Sequence, residues 1–185
     1  MEPNIIGYHS NTEDKANKFV NNGELAISPD TYYLGKGMYF WDNIGNAEYW
    51  AAEKIRKSKK EKKPIDKVLI CRANVILKEP ILDLTDSLTI EDLKELWISY
   101  CEKKKETKKR QLLGTIIDIL MDFFPVLQEM KVSKCHGDYS HHKMAYFLDK
   151  YVEKLYITNN IKTIYCVRCK TRIADQRIFD TILSK

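Results

Sequence analysis

The sequence predicts an α+β fold, and three observations carry that expectation. Short β-branched and aromatic runs alternate with amphipathic stretches in the first half, a helical block fills the middle, and a further β-branched run returns near the end. The 185 residues allow one compact core, and no repeat or Pro/Gly/Ser-rich linker divides them. Residues 1–185 are therefore expected to form a single domain, with a helical insertion at about 89–155 before the last strand.

In chain order, Ile5 to Tyr8 is a short strand that reaches His9, and Asn11 or Thr12 can cap a helix turning Ala16, Phe19 and Val20 inward. Gly23 ends that helix, because glycine tolerates the left-handed conformation needed there. After a loop through Pro29, Gly37-Met38-Tyr39-Phe40-Trp41 reads as a strand. Ala47, Trp50, Ala51 and Ile55 fall at helical spacing, and Val68–Val75 and Ile81–Leu84 are the next strands, the second after Pro80. Thr89 is the expected N-cap of the helical block, with Asp92 three residues on and Leu93, Leu96, Trp97, Tyr100 and Cys101 on one face. Two amphipathic segments follow. The first carries Leu112, Leu113, Ile116, Ile117 and Leu120 before Pro125; the second carries Met144, Phe147, Leu148, Tyr151, Val152 and Leu155. Ile161 to Arg168 closes the pattern as a buried strand.

An apolar share of 44% and an aromatic share of 11% belong to a folded chain rather than a disordered one. The polar opening Met1-Glu2-Pro3-Asn4 lacks the basic region of a signal peptide, and no apolar run nears the roughly twenty residues that cross a bilayer. A soluble, cytoplasmic protein without a membrane partner is expected, its five cysteines free thiols. Charge is uneven. Lys54–Lys63 carries +6 and Cys101–Arg110 carries +4, so in a chain of +5 the rest is acidic at −5.

Chemistry concentrates in three stretches: Tyr8-His9-Ser10-Asn11, then Leu34-Gly35-Lys36-Gly37-Met38-Tyr39-Phe40-Trp41-Asp42, then Asn46-Ala47-Glu48-Tyr49. Together they resemble the ADP-ribosyltransferases of the poly(ADP-ribose) polymerase-like and diphtheria-toxin-like branch, with G-K-G-x-Y-F-x-D the most specific part. The resemblance covers about the first third of the chain, with the strand at 161–168 placed by spacing. It implies a split β-sheet, with a histidine, a tyrosine and a third residue on three strands around NAD. His9 would donate to the adenine-side ribose hydroxyl. Tyr39 and Tyr49 would stack on opposite faces of the nicotinamide cation, where ring stacking and cation–π attraction act together. Ser10 and Asn46 would hold the carboxamide, and Asn11 would complete the NAD-binding set.

Two departures from the family pattern are visible. Ser10 stands where the family usually has glycine. At the third position, usually glutamate, spacing back from Ile173 puts Ile164, which cannot orient the ribose or act as a base, help worth about 10² to 10⁴ in rate. Relatives with an aliphatic residue there attach a single ADP-ribose, so the resemblance implies mono-transfer to a protein or RNA, with NAD as co-substrate and no metal. In another register Glu153, Asp175 or Gln176 would fill the place. Compact prokaryotic members serve as toxins of toxin–antitoxin or phage-defence systems, which implies a neutralising antitoxin as partner. An NAD or ADP-ribose binding module without chemistry and an NAD glycohydrolase stay open as alternatives.

Two further signals have simpler readings. Cys166-Val167-Arg168-Cys169 with Cys135-His136 could suggest zinc, but cysteines three apart on a strand face opposite ways, so buried thiols are expected. His136, His141 and His142 read as a loop and helix start rather than a ligand set. The basic windows read as solvated helix ends, or as a surface that follows the phosphates of a nucleic-acid acceptor.

Overall fold

The computed structural model describes residues 3–29, 31, 33–105, 110–138 and 161–184. Its elements are β1 (Asn4–Thr12), α1 (Glu13–Asn22), β2 (Ser28–Pro29), β3 (Lys36–Trp41), α2 (Ile44–Lys60), β4 (Lys67–Ile76), β5 (Leu82–Asp83), α3 (Ser87–Lys104), α4 (Leu113–Phe123), α5 (Pro125–Gln128), β6 (Val132–Asp138), β7 (Ile161–Val167) and β8 (Ile173–Leu183). The α+β expectation is met by a mostly antiparallel sheet of order β5-β6-β7-β3-β1-β4-β8, with β2 pairing to β3 off that path.

One join in this sheet differs from the rest. β1 pairs with β4 along nine residues, Asn4 to Thr12, and β3 pairs with β7 from Met38 to Trp41. Among the described residues β1 meets β3 at one Cα pair, Tyr8 with Trp41. Beyond it the two strands part, leaving His9 to Thr12 on one side and the start of β3 on the other.

Side-chain alternation sends apolar groups to both sheet faces, so each face needs a cover. On one face Tyr39, Trp41, Ile70, Ile164 and Cys166 pack with Ala47 of α2, Leu93 of α3 and Ile117 and Leu120 of α4. On the other, Met38, Phe40, Cys71, Val75 and Tyr165 pack with Ala16 and Phe19 of α1. Gly23 ends α1 at φ 66° as expected, its N–H bonded to the Phe19 carbonyl at 2.9 Å.

Several expectations need correction. The residue capping α3 is Asp86: its Oδ2 accepts from the Thr89 N–H at 3.0 Å and from the Thr89 hydroxyl at 2.9 Å, so Thr89 lies inside the helix. Leu112 and Leu113, expected to face inward, are exposed, because the turns that reach the core begin at Ile116 and Ile117. Ser28–Pro29, expected in a loop, pairs with Lys36 and Gly37. The block 89–155 is not wholly helical, since β6 lies within it, parallel to β5 and antiparallel to β7. Nor does β7 close the sheet; β8 follows and pairs with β4 through two irregularities in register. The segment Met144 to Leu155, with Glu153, His141 and His142, lies outside the described residues.

Candidate active site

A cleft of about 840 Å³ opens where β1 and β3 part. His9 and Asn11, two apart on β1, share a face and bond to each other, and Ser10 between them also lines this cleft, where among the described residues β3 no longer pairs with that edge of β1. Tyr39 and Trp41 of β3 line it too, with Tyr33 from the preceding loop, Lys15 of α1, and Trp50, Glu53, Lys54 and Lys57 of α2. The volume lies within the range of small-molecule and cofactor sites.

The two motif stretches meet directly. The His9 Nδ1 lies 2.7 Å from the Tyr39 carbonyl oxygen, which can only accept, so Nδ1 carries the hydrogen. Nε2 is then the acceptor and takes a bond from Asn11 Nδ2 at 3.1 Å. The amide orientation is fixed at its other end, where Asn11 Oδ1 accepts from the Thr12 N–H at 2.9 Å and from Lys54 Nζ at 3.3 Å. Burial lowers the His9 pKa to about 4 against the opposing Tyr39 bond, and Lys54 and Lys15 push the same way, so the imidazole is neutral at pH 7. Neither nitrogen is an unused donor. The expected donation from His9 to a ribose hydroxyl therefore has no hydrogen to make it in this arrangement; Nε2 can accept one instead if Asn11 gives way.

Tyr39 is held with equal care. Its hydroxyl donates to the Gly35 carbonyl at 2.7 Å and accepts from the Leu34 N–H at 3.0 Å, which leaves the ring to face the cleft. The loop it grips is pinned elsewhere, by Asp118 Oδ1 accepting from the Lys36 N–H at 2.8 Å and by Arg168 Nη2 donating to the Leu34 carbonyl. Gly35 has φ +76°, and a Cβ there would sit 2.9 Å from the Gly114 carbonyl oxygen, so only glycine fits. The G-K-G part of the motif thus has a structural cause.

Of the residues expected to bind NAD, the structure brings His9, Ser10, Asn11 and Tyr39 into one cleft. Asn46 is buried behind the lining at 2% exposure, its Nδ2 without a hydrogen-bond partner among the described residues. Tyr49 is 47% exposed and lines nothing in the cleft, so it does not oppose Tyr39 as expected. Trp50 takes the cleft-facing place, stacked on Trp41 with centroids 6.0 Å apart and planes 11° off parallel, its indole N–H buried without an acceptor among the described residues. Ile164 is fully buried, paired with Trp41 and Cys135, and lies in the core rather than the cleft. Asp175 accepts from Asn74 Nδ2 at 2.6 Å on β8, at the sheet edge beyond β4, and neither it nor Gln176 lines the cleft.

Cysteine placement also refines the zinc reading. Cys166 is buried on β7, but Cys169 lies past the strand end, so strand alternation does not separate them. Among the described residues no three His, Cys, Asp or Glu side chains form a metal-ligand group. No described helix is long and apolar enough to cross a membrane.

Residues that motif reading passed over complete the cleft. Lys15, Lys54 and Lys57 crowd there, and Lys54 has a lowered pKa from burial first and then from Lys15 and Lys57. Among the described residues none of the three has a carboxylate in ion-pair contact, whereas Lys18 and Lys67 pair with Asp14 and Glu13. No family model, curated protein or solved structure matches the chain. The likeness to ADP-ribosyltransferases therefore stands on the motif residues alone. Such a cleft offers an aromatic wall to a flat cation and a cluster of unneutralised ammonium groups to a polyanion.

Proposed function

We propose that this chain is an NAD-dependent mono-ADP-ribosyltransferase that passes ADP-ribose from NAD to a protein or RNA acceptor. One observation carries the reading: His9 and Tyr39, thirty residues apart in sequence, are hydrogen-bonded across the gap between β1 and β3, beside one cleft. NAD joins a flat cation to a dianionic diphosphate, and the cleft has a complement to each. Tyr33, Tyr39, Trp41 and Trp50 supply ring surface for the nicotinamide, and Lys15, Lys54 and Lys57 supply charge for the diphosphate. Bond cleavage at the nicotinamide ribose passes through an oxocarbenium-like state, and the protein's part is to hold the leaving ring and exclude water. Limitation to a single unit rests on the motif resemblance alone, in which Ile164 takes the third position, since that side chain itself lies in the core rather than the cleft.

The test is incubation with adenylate-labelled NAD and cell lysate. Label is expected on macromolecules, released by protease or by nuclease according to the acceptor, and strongly reduced in His9→Ala. Nicotinamide release without labelling would indicate a glycohydrolase, and neither product would leave a binding module and end the transferase reading.

A further inference from the structure

When the nicotinamide leaves, the bond from ribose C1′ to the pyridinium nitrogen breaks with both electrons going to nitrogen. The ring departs neutral, and positive charge appears across C1′ and the ribose ring oxygen. The acceptor's lone pair then forms the new bond at C1′, and its proton passes to solvent. A cation created in a cleft holding three lysines is opposed electrostatically unless an anion faces it. The diphosphate of NAD offsets the lysines, but nothing in that balance favours the new charge on the ribose.

Glu53 is the one carboxylate among the described residues that line the cleft. Its oxygens are fixed by a two-pronged bond to Arg56, Oε1 accepting from Nε at 2.8 Å and Oε2 from Nη2 at 2.5 Å. The Glu53 side chain is 20% exposed against 56% for Arg56, so the acid is the sheltered partner. That bond holds its carboxyl below the usual range, hence ionised at neutral pH.

Position along α2 says what Glu53 can face. Trp50, Glu53 and Lys57 all line the cleft, spaced three and four residues apart as one helical face requires. At 1.5 Å per residue they rise in the order ring, carboxylate, cation over about 4.5 and then about 6 Å. Nicotinamide, ribose and diphosphate occur in that order along NAD, over comparable separations. Resting on the transferase reading above, we propose that Glu53 faces the nicotinamide-side ribose and stabilises its developing positive charge, supplying from α2 the anion that Ile164 cannot supply from β7.

The assay is nicotinamide release from NAD by the full chain, with wild type, Glu53→Gln and Glu53→Asp compared at matched folding, checked by thermal melting. Glutamine keeps the shape and removes the charge. Its kcat is expected to fall about 100-fold with KM for NAD changed less than about threefold, the sign of an interaction made in the transition state. Aspartate is expected to recover part of the rate. A glutamine variant with wild-type kcat, or one that loses KM alone, would overturn the assignment while leaving the transferase reading in place. A wild-type chain that neither binds nor cleaves NAD would overturn both.

Discussion

On the β3 side of the cleft the conspicuous residues are bonded into the frame. The Tyr39 hydroxyl is used twice by the Leu34–Gly35 loop, and Asp118 and Arg168 hold that loop from other elements. On the β1 side His9 Nδ1 is tied to the Tyr39 carbonyl, while the other polar bonds run between side chains and to α2: His9 to Asn11, and Asn11 to Lys54. One side is built so that a ring stays put, and the other can exchange a side-chain bond for a ligand bond at small cost. The difference separates motif residues whose polar groups are spent on shape from those whose side-chain bonds open onto the cleft.

The comparison breaks most visibly at Gly35. Gly35→Val puts a β-branched residue at φ +76° against the Gly114 carbonyl and Asp118, and is expected to cost about 4 kcal/mol in urea unfolding. A cost under about 1 kcal/mol would show that the loop is not the rigid side. On the β1 side, His9 contributes through pH. Its folded-state pKa is about 4 against 6.5 for an ordinary histidine, so between those values the unfolded chain binds more protons. Stability tied to His9 is complete above pH 6.5 and is lost as pH falls toward 4, by about 3 kcal/mol. Unfolding free energies measured across that window should fall more steeply in wild type than in His9→Gln, and equal slopes would refute the assignment. The smallest effect concerns the neighbours Tyr49 and Trp50. Calorimetric titration with NAD should show Trp50→Leu binding about tenfold more weakly and Tyr49→Ala within about twofold of wild type. The reverse order would restore Tyr49 to the site.

The strands carrying His9 and Tyr39 were legible because their residues state both type and purpose: an aromatic run opened by glycine, and a short apolar run ending in a polar turn. Gly23 was equally plain, since its left-handed φ has few other occupants. Elsewhere the signals were masked. β6, with Lys134 and His136 among its residues, has too polar a composition to stand out as a strand, and its buried Ser133 has a hydroxyl that accepts from Arg168 at 2.7 Å. β8 breaks its alternation where its pairing with β4 shifts. The slip from Trp50 to Tyr49 has a different origin. Distance along the chain located the helix, but its phase follows from docking Ala47 and Ala51 on the sheet, which turns Trp50 to the cleft and Tyr49 about 100° away. Lys54, Lys57 and Glu53 were hidden in a run of charges that resembles any solvated helix end, and only that same phase shows which of them face inward.

Tyr8 and Trp41 fasten the two halves of the sheet like a single rivet between plates. Among the described residues no backbone ladder ties the plates together past it, and the imidazole of His9 with its bond to the Tyr39 carbonyl is one side-chain cross-tie over that gap. Changing that one side chain would therefore alter how wide the mouth stands without unzipping either plate, and a guest of the right breadth could prop it open in the same way.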